Sequence, residues 1–115
     1  MSDLSRWEND RGEWATFRTT YGWLAWVRIQ AAAIDGGGAL AFFRTLVVET
    51  LIGWRVLAAD GTTWLDAMDD AAFEAVDAYT GQQVLDRCND IWRAWQKAAP
   101  DPKDTRPRSS ASPPA

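Results

Sequence analysis

Histidine is absent from the 115 residues, and cysteine occurs once, as Cys88. Without histidine the chain has no triad with a His base, no His-ligated zinc site and no pH switch of the usual kind. One thiol makes neither an internal disulfide nor a cysteine cluster, so a reduced cytoplasm is the expected setting. Clustered Lys and Arg are lacking too: the only basic concentration is the sparse set Lys103, Arg106 and Arg108. Phosphate neutralisation needs denser positive charge, so nucleic acid is not an expected partner. Uninterrupted apolar runs are also missing. The longest, 39–59, is broken by Arg44, Glu49 and Arg55, which suits a buried helix better than a bilayer span, and no membrane partner is expected. The first residues, Met1 to Arg6, carry neither a basic region nor an apolar stretch and do not read as a signal peptide. With no internal repeat, solenoid architectures drop out.

What is present fits one domain, because 115 residues are too few for two ordinary ones. The hydrophobic share of 47% beside a charged share of 24% is that of a soluble globular chain, which excludes wholesale disorder. The net charge of −4 is unevenly spread: 1–59 is balanced, whereas 60–90 holds eight acids against the single base Arg87. That block reads as a solvated helix face, with a basic protein partner as the sharper alternative.

The spacing of residue types predicts a mainly α domain of about four helices, with a short N-terminal strand or hairpin and a disordered C-terminal tail. In 1–11, Ser5-Arg6-Trp7-Glu8 has capping-box spacing, so this stretch is expected to be flexible or to form one helical turn. The helical domain is expected over 12–99. Within it 12–19 reads as a strand with Trp14 on one face and Ala15 and Phe17 on the other, pairing with 53–57. A helix is expected over 21–34, with Trp23, Leu24, Trp26, Val27, Ala31 and Ile34 as its apolar positions. Asp35-Gly36-Gly37-Gly38 should stop it. The stretch 39–52 is apolar nearly all round and reads as the central helix, packed on several sides. Asp60-Gly61 signals a turn. Leu65, Met68, Ala72, Val76 and Tyr79 suggest a helical stripe opposite Asp66, Asp70, Glu74 and Asp77. Thr80-Gly81-Gln82-Gln83 reads as the capping box of a last helix, with Val84, Leu85, Cys88, Ile91, Trp92 and Trp95 inward. All five prolines fall in 100–115, a Pro-rich tail expected to be disordered.

Each chemical motif has a plainer explanation. The triple glycine follows a helix instead of a strand and has no Lys after it, so it reads as an interhelical turn and not as a phosphate loop. The carboxylate stripe lacks calcium-loop spacing and reads as a solvated face. Cys88 sits among apolar positions without a base and reads as core. No catalytic, cofactor-binding or metal site is expected, and the chain does not read as an enzyme. The eight tryptophans stand out. So small a domain has little room to bury every indole, and exposed Trp serves partner surfaces as an anchor. Trp64, Phe73 and Trp95 are the candidate partner-binding residues.

Two stretches then carry a resemblance: Gly12-Glu13-Trp14-Ala15-Thr16-Phe17-Arg18, and Leu46-Val47-Val48-Glu49-Thr50-Leu51-Ile52-Gly53-Trp54-Arg55-Val56-Leu57-Ala58-Ala59-Asp60-Gly61. With the helical C-terminal part, covering about 12–98, the chain resembles the tail assembly chaperones of long-tailed bacteriophages. The resemblance implies a small, mainly helical, non-enzymatic protein of the host cytoplasm, absent from the finished virion. It also implies, as partners, the tape measure protein, which the chaperone keeps soluble, and the tail tube protein that polymerises around it; self-association is left open. A longer product made by ribosomal frameshifting near the end of the frame is implied as well, and Asp101-Pro102-Lys103 is compatible with a slippery codon run. The alternative is a structural virion protein, such as a head-tail connector subunit.

Overall fold

The computed structural model describes residues 3–34 and 38–98. The expected stop at 35–38 therefore lies outside the described residues except for Gly38, and the tail 100–115 lies outside them entirely. In chain order the elements are β1 (Leu4–Glu8), β2 (Trp14–Arg18), α1 (Trp23–Ile34), α2 (Gly38–Thr50), β3 (Leu51–Leu57), β4 (Trp64–Leu65), α3 (Asp70–Ala75) and α4 (Ala78–Ala98). The strands form one antiparallel sheet in sequential order. With 56% of the described residues helical and 23% in strands, the fold is mixed α/β and not mainly α.

The strands were under-read for a physical reason. β1 carries apolar residues only at Leu4 and Trp7, and its capping-box spacing imitates a helix start. Ser5-Arg6-Trp7-Glu8 instead pairs with Phe17, Thr16, Ala15 and Trp14 across a hairpin. Position 12 of that hairpin needs a positive φ, which Gly12 supplies at 83°. α4 holds the edge from the side, where Arg87 Nη2 donates to the Arg6 carbonyl at 3.0 Å. The expected pairing of 12–19 with 53–57 is present, Ala15 opposite Trp54 and Trp14 opposite Arg55. Between Thr16 and Phe17 the register shifts, leaving Ile52 as an extra residue on β3. This bulge lets Leu51 and Trp54, three apart, both point inward despite the two-residue period of a strand.

Helix α2 runs into β3 without a loop, which corrects the helix expected over 39–52: residues 51 and 52 are strand. Nor is α2 the central helix. Only Leu46 and Thr50 of it are buried; Phe42 and Val47 pack against the core margin, while Leu40 and Val48 are exposed. The centre is the inner sheet face, where Ala15, Phe17, Trp54 and Val56 meet Ile29 of α1, Leu46 of α2 and Val84, Cys88 and Trp92 of α4. α1 is rotated from its expected orientation: Ala25, Trp26 and Ile29 are buried, while Trp23, Leu24 and Ile34 face outward. Tyr21 closes this core. Its hydroxyl bonds buried Thr50 at 2.7 Å, its ring meets Trp92 and Trp95 edge-on, and burial pushes its pKa up to about 12.

After the Asp60-Gly61 turn the expected long helical stripe is broken up. Trp64 and Leu65 are strand, α3 has six residues, and α4 starts at Ala78, two residues before the expected Thr80 cap. Asp69 caps α3 by accepting from the Ala72 amide at 2.9 Å. Asp77 accepts from the Thr80 amide at 3.1 Å. The inward positions expected for α4 hold, with Val84, Cys88 and Trp92 fully buried and Leu85, Ile91 and Trp95 partly so. Among the described residues no helix is long and apolar enough to cross a membrane.

Candidate functional site

An open cavity of about 470 Å³ lies between α2, α3 and α4, with Trp54 of β3 among its lining residues. That volume is within the range of ~300–1,000 Å³ typical of ligand pockets. One wall is α2, through Leu40, Phe43 and Val47; α3 supplies Phe73, and α4 supplies Val84 and Leu85. Arg44, Asp70 and Glu74 are the charged residues of its lining. Leu40 is the most exposed large apolar side chain described, at 78%. Apolar side chains left open beside a few charged ones are the usual composition of a binding cleft.

Local sequence explains the opening. α3 is too short to pack across α2, and few groups hold it. Phe73 stacks edge-on against Trp54 at 5.5 Å, and the Trp54 indole N–H donates to the Ala67 carbonyl at 2.7 Å. Ala58 forms a single β-bridge with Val76, and the Asp77 amide donates to the Leu57 carbonyl at 3.0 Å. Arg44 pairs with Asp70 from α2 to α3. On α4, Gly81 contributes no side chain where a Cβ would stand 3.4 Å from Val76. Together these leave the space between the three helices unfilled.

The three sequence candidates do not converge. Phe73 alone lines the groove. Trp95 packs on Trp92 and Tyr21 as part of the core margin. Trp64, 39% exposed, lies on the sheet, where the Arg55 guanidinium covers its ring at 4.3 Å and Gly12 stands close by. Arg6 covers Trp14 in the same way at 4.6 Å. These cation–π contacts account for aromatic side chains that the helices do not cover. The most exposed tryptophan is Trp23, at 69%, which the expected helix face had turned inward. Sequence reasoning also missed the α2 residues Leu40, Phe43 and Val47 as site residues. They had been given to a central helix because an all-round apolar pattern does not say which side is left open.

A second polar constellation escaped the sequence entirely. The Glu13 carboxylate, 1% exposed, accepts from Asn9 Nδ2 at 2.7 Å, Thr80 Oγ1 at 2.8 Å, the Leu57 amide at 2.9 Å and Arg11 Nε at 3.0 Å. Arg11 Nη2 donates in turn to Thr80 Oγ1 at 2.6 Å. Burial alone raises the Glu13 pKa, but the Leu57, Asn9, Thr80 and Arg11 bonds outweigh it and hold the group below its ordinary value. Every strong acceptor site is taken by the protein itself, so this cluster ties the β1–β2 turn to β3 and α4 and offers nothing to a substrate. Thr80, read as a helix cap, spends its hydroxyl here.

The other residues singled out from the sequence are dispersed over the fold. Asp66, Asp70, Glu74 and Asp77 do not form one helical stripe: Asp70 and Glu74 lie on α3, Asp66 precedes it, and Asp77 joins α3 to α4. Among the described residues no group of His, Cys, Asp and Glu is placed to hold a metal ion. Cys88 is fully buried, and burial pushes its thiol up to about 12, far from a reactive thiolate. Asp60 folds the turn, accepting from the amides of Thr62 and Thr63 and from the Thr63 hydroxyl, bonds that bring it down to about 2. Comparison with protein-family models, with curated proteins and with solved structures finds no match to the chain.

Proposed function

We propose that the chain is a non-enzymatic assembly factor that shelters an apolar segment of another protein in the α2–α3–α4 groove. The resemblance to phage tail assembly chaperones makes the tape measure protein the first client to test, with the host cytoplasm as the place of action. The observation that carries the reading is the groove itself: leucine, phenylalanine and valine side chains line it, and Leu40 is exposed. Apolar surface held open on a folded scaffold attracts apolar surface of a partner, and a long helical client needs such cover until it is assembled.

Co-expression with the product of a downstream, very long helix-rich reading frame tests this. Wild-type protein copurifies with that product, Leu40→Asp loses it while remaining folded by circular dichroism, and Trp64→Ala, outside the groove lining, keeps it. Retention by Leu40→Asp would sink the groove as the client site. Finding the chain as a stoichiometric component of purified particles would sink the assembly-factor reading in favour of a virion component.

A further inference from the structure

The charges lining the groove say what kind of segment fits it. Arg44 and Asp70 are already paired with each other between α2 and α3. Glu74, one helical turn beyond Asp70 on α3, is exposed, lines the same cavity and has no ion pair or hydrogen bond among the described residues. The lining therefore carries one negative charge more than positive, on the α3 side, and among the described residues no cation forms an ion pair with Glu74. The wall opposite runs from Leu40 to Val47, seven residues and so about 10 Å of helix at 1.5 Å per residue. That is two turns of a packed helix, or three bulky side chains spaced i, i+3 or i+4 and i+7.

Resting on the reading of the groove as a client site, we infer that its occupant is a short amphipathic helix. Its apolar face turns toward Leu40, Phe43 and Val47, and a Lys or Arg on its flank meets Glu74. An acidic helix would set its charge against Glu74, and an unflanked apolar one would leave that carboxylate without a partner at the edge of a newly dried surface. A cation on the occupant satisfies it from solvent-accessible ground. The groove thus selects among apolar helices by the sign of their flanking charge, which is a means of choosing one client segment over the many apolar stretches of a cell.

Three dye-labelled peptides with the same two-turn leucine pattern, differing only in Lys, Gln or Glu at the flanking positions, test the inference. Their binding to the full chain is read by fluorescence anisotropy at low and at high salt. The Lys peptide is expected to bind about 1.5-fold to fivefold more tightly than the Gln peptide at low salt, the size of an exposed ion pair. The Glu peptide binds more weakly than either, and the spread narrows as salt is raised. Glu74→Lys reverses the order of the Lys and Glu peptides, and Leu40→Asp weakens all three together. Equal binding of the three peptides, or an order that Glu74→Lys leaves unchanged, overturns the charge selection while leaving the groove as a client site. If no peptide binds, or if Leu40→Asp changes none of the affinities, the groove reading fails and the inference with it.

Discussion

At the scale of single residues, one buried carboxylate ties the first hairpin to β3 and α4. Glu13 gathers donors from Asn9 and Arg11 in the first hairpin, from the Leu57 amide and from Thr80 on α4. A buried acceptor with its donors satisfied contributes modestly, but donors left without an acceptor cost about 1–3 kcal/mol each. Glu13→Gln keeps the shape and supplies one acceptor oxygen where two stood. The expected loss is about 2–3 kcal/mol in urea unfolding at neutral pH. Because the folded pKa of Glu13 lies below its ordinary value of 4.5, its contribution is present above that value and is lost as pH falls through the folded one. The acid limb of the stability curve should accordingly be shallower in the Gln variant than in wild type. An identical acid limb in the two proteins would show that the charge of Glu13 plays no part. Nothing along the sequence marks this residue, since Asn9 and Thr80 are 71 positions apart and each carries an ordinary local explanation.

At the scale of elements, legibility followed the strength of the local period. α4 has a single apolar stripe and Lys97 in its last turn, so its inward face was readable. The pairing of β2 with β3 was readable because a lone strand leaves its backbone groups unpaired, and 53–57 is the extended stretch that runs up to the Asp60-Gly61 turn. β1 was not, because its polar residues fit a helical start as well as an edge strand. The α2–β3 junction was hidden within one continuous apolar run that changes from helix to strand without a turn signal. Gly81 offers a test at this scale. It sits inside α4, where glycine costs about 1 kcal/mol relative to alanine, and a Cβ there meets Val76 at ordinary contact distance. Gly81→Ala is expected to raise the melting temperature by about 4–8 °C per kcal/mol gained in a domain of this size. An unchanged or lowered value in a thermal scan would mean that the contact with Val76 is tighter than the geometry indicates.

At the scale of the whole molecule, the helices and the sheet meet over one core, and Cys88 lies within it between α4 and the inner sheet face. A fully buried thiol with its pKa pushed up to about 12 reacts only when that core opens. Labelling of Cys88 by a thiol reagent should therefore follow global unfolding, rising with urea in step with the loss of circular dichroism. Labelling at the rate of a free thiol in native buffer would show that α4 detaches on its own. The groove is also a property of this scale. Its walls come from three helices and one strand, and α3, at six residues, is the shortest of those helices.

The sequence by itself determined that no histidine and a single thiol are present, where the turn at Asp60 falls and which face of α4 turns inward. These are matters of composition and of contacts within a few residues, where the side chains involved are also neighbours along the chain. Only the tertiary structure decided that the fold is mixed α/β, that α2 borders a groove instead of filling the core, and that Phe73, but neither Trp64 nor Trp95, lines it. Each of those depends on which surfaces are left over after distant elements have packed. A hydrophobic pattern records that a residue is apolar, and it does not record whether anything arrives to cover it.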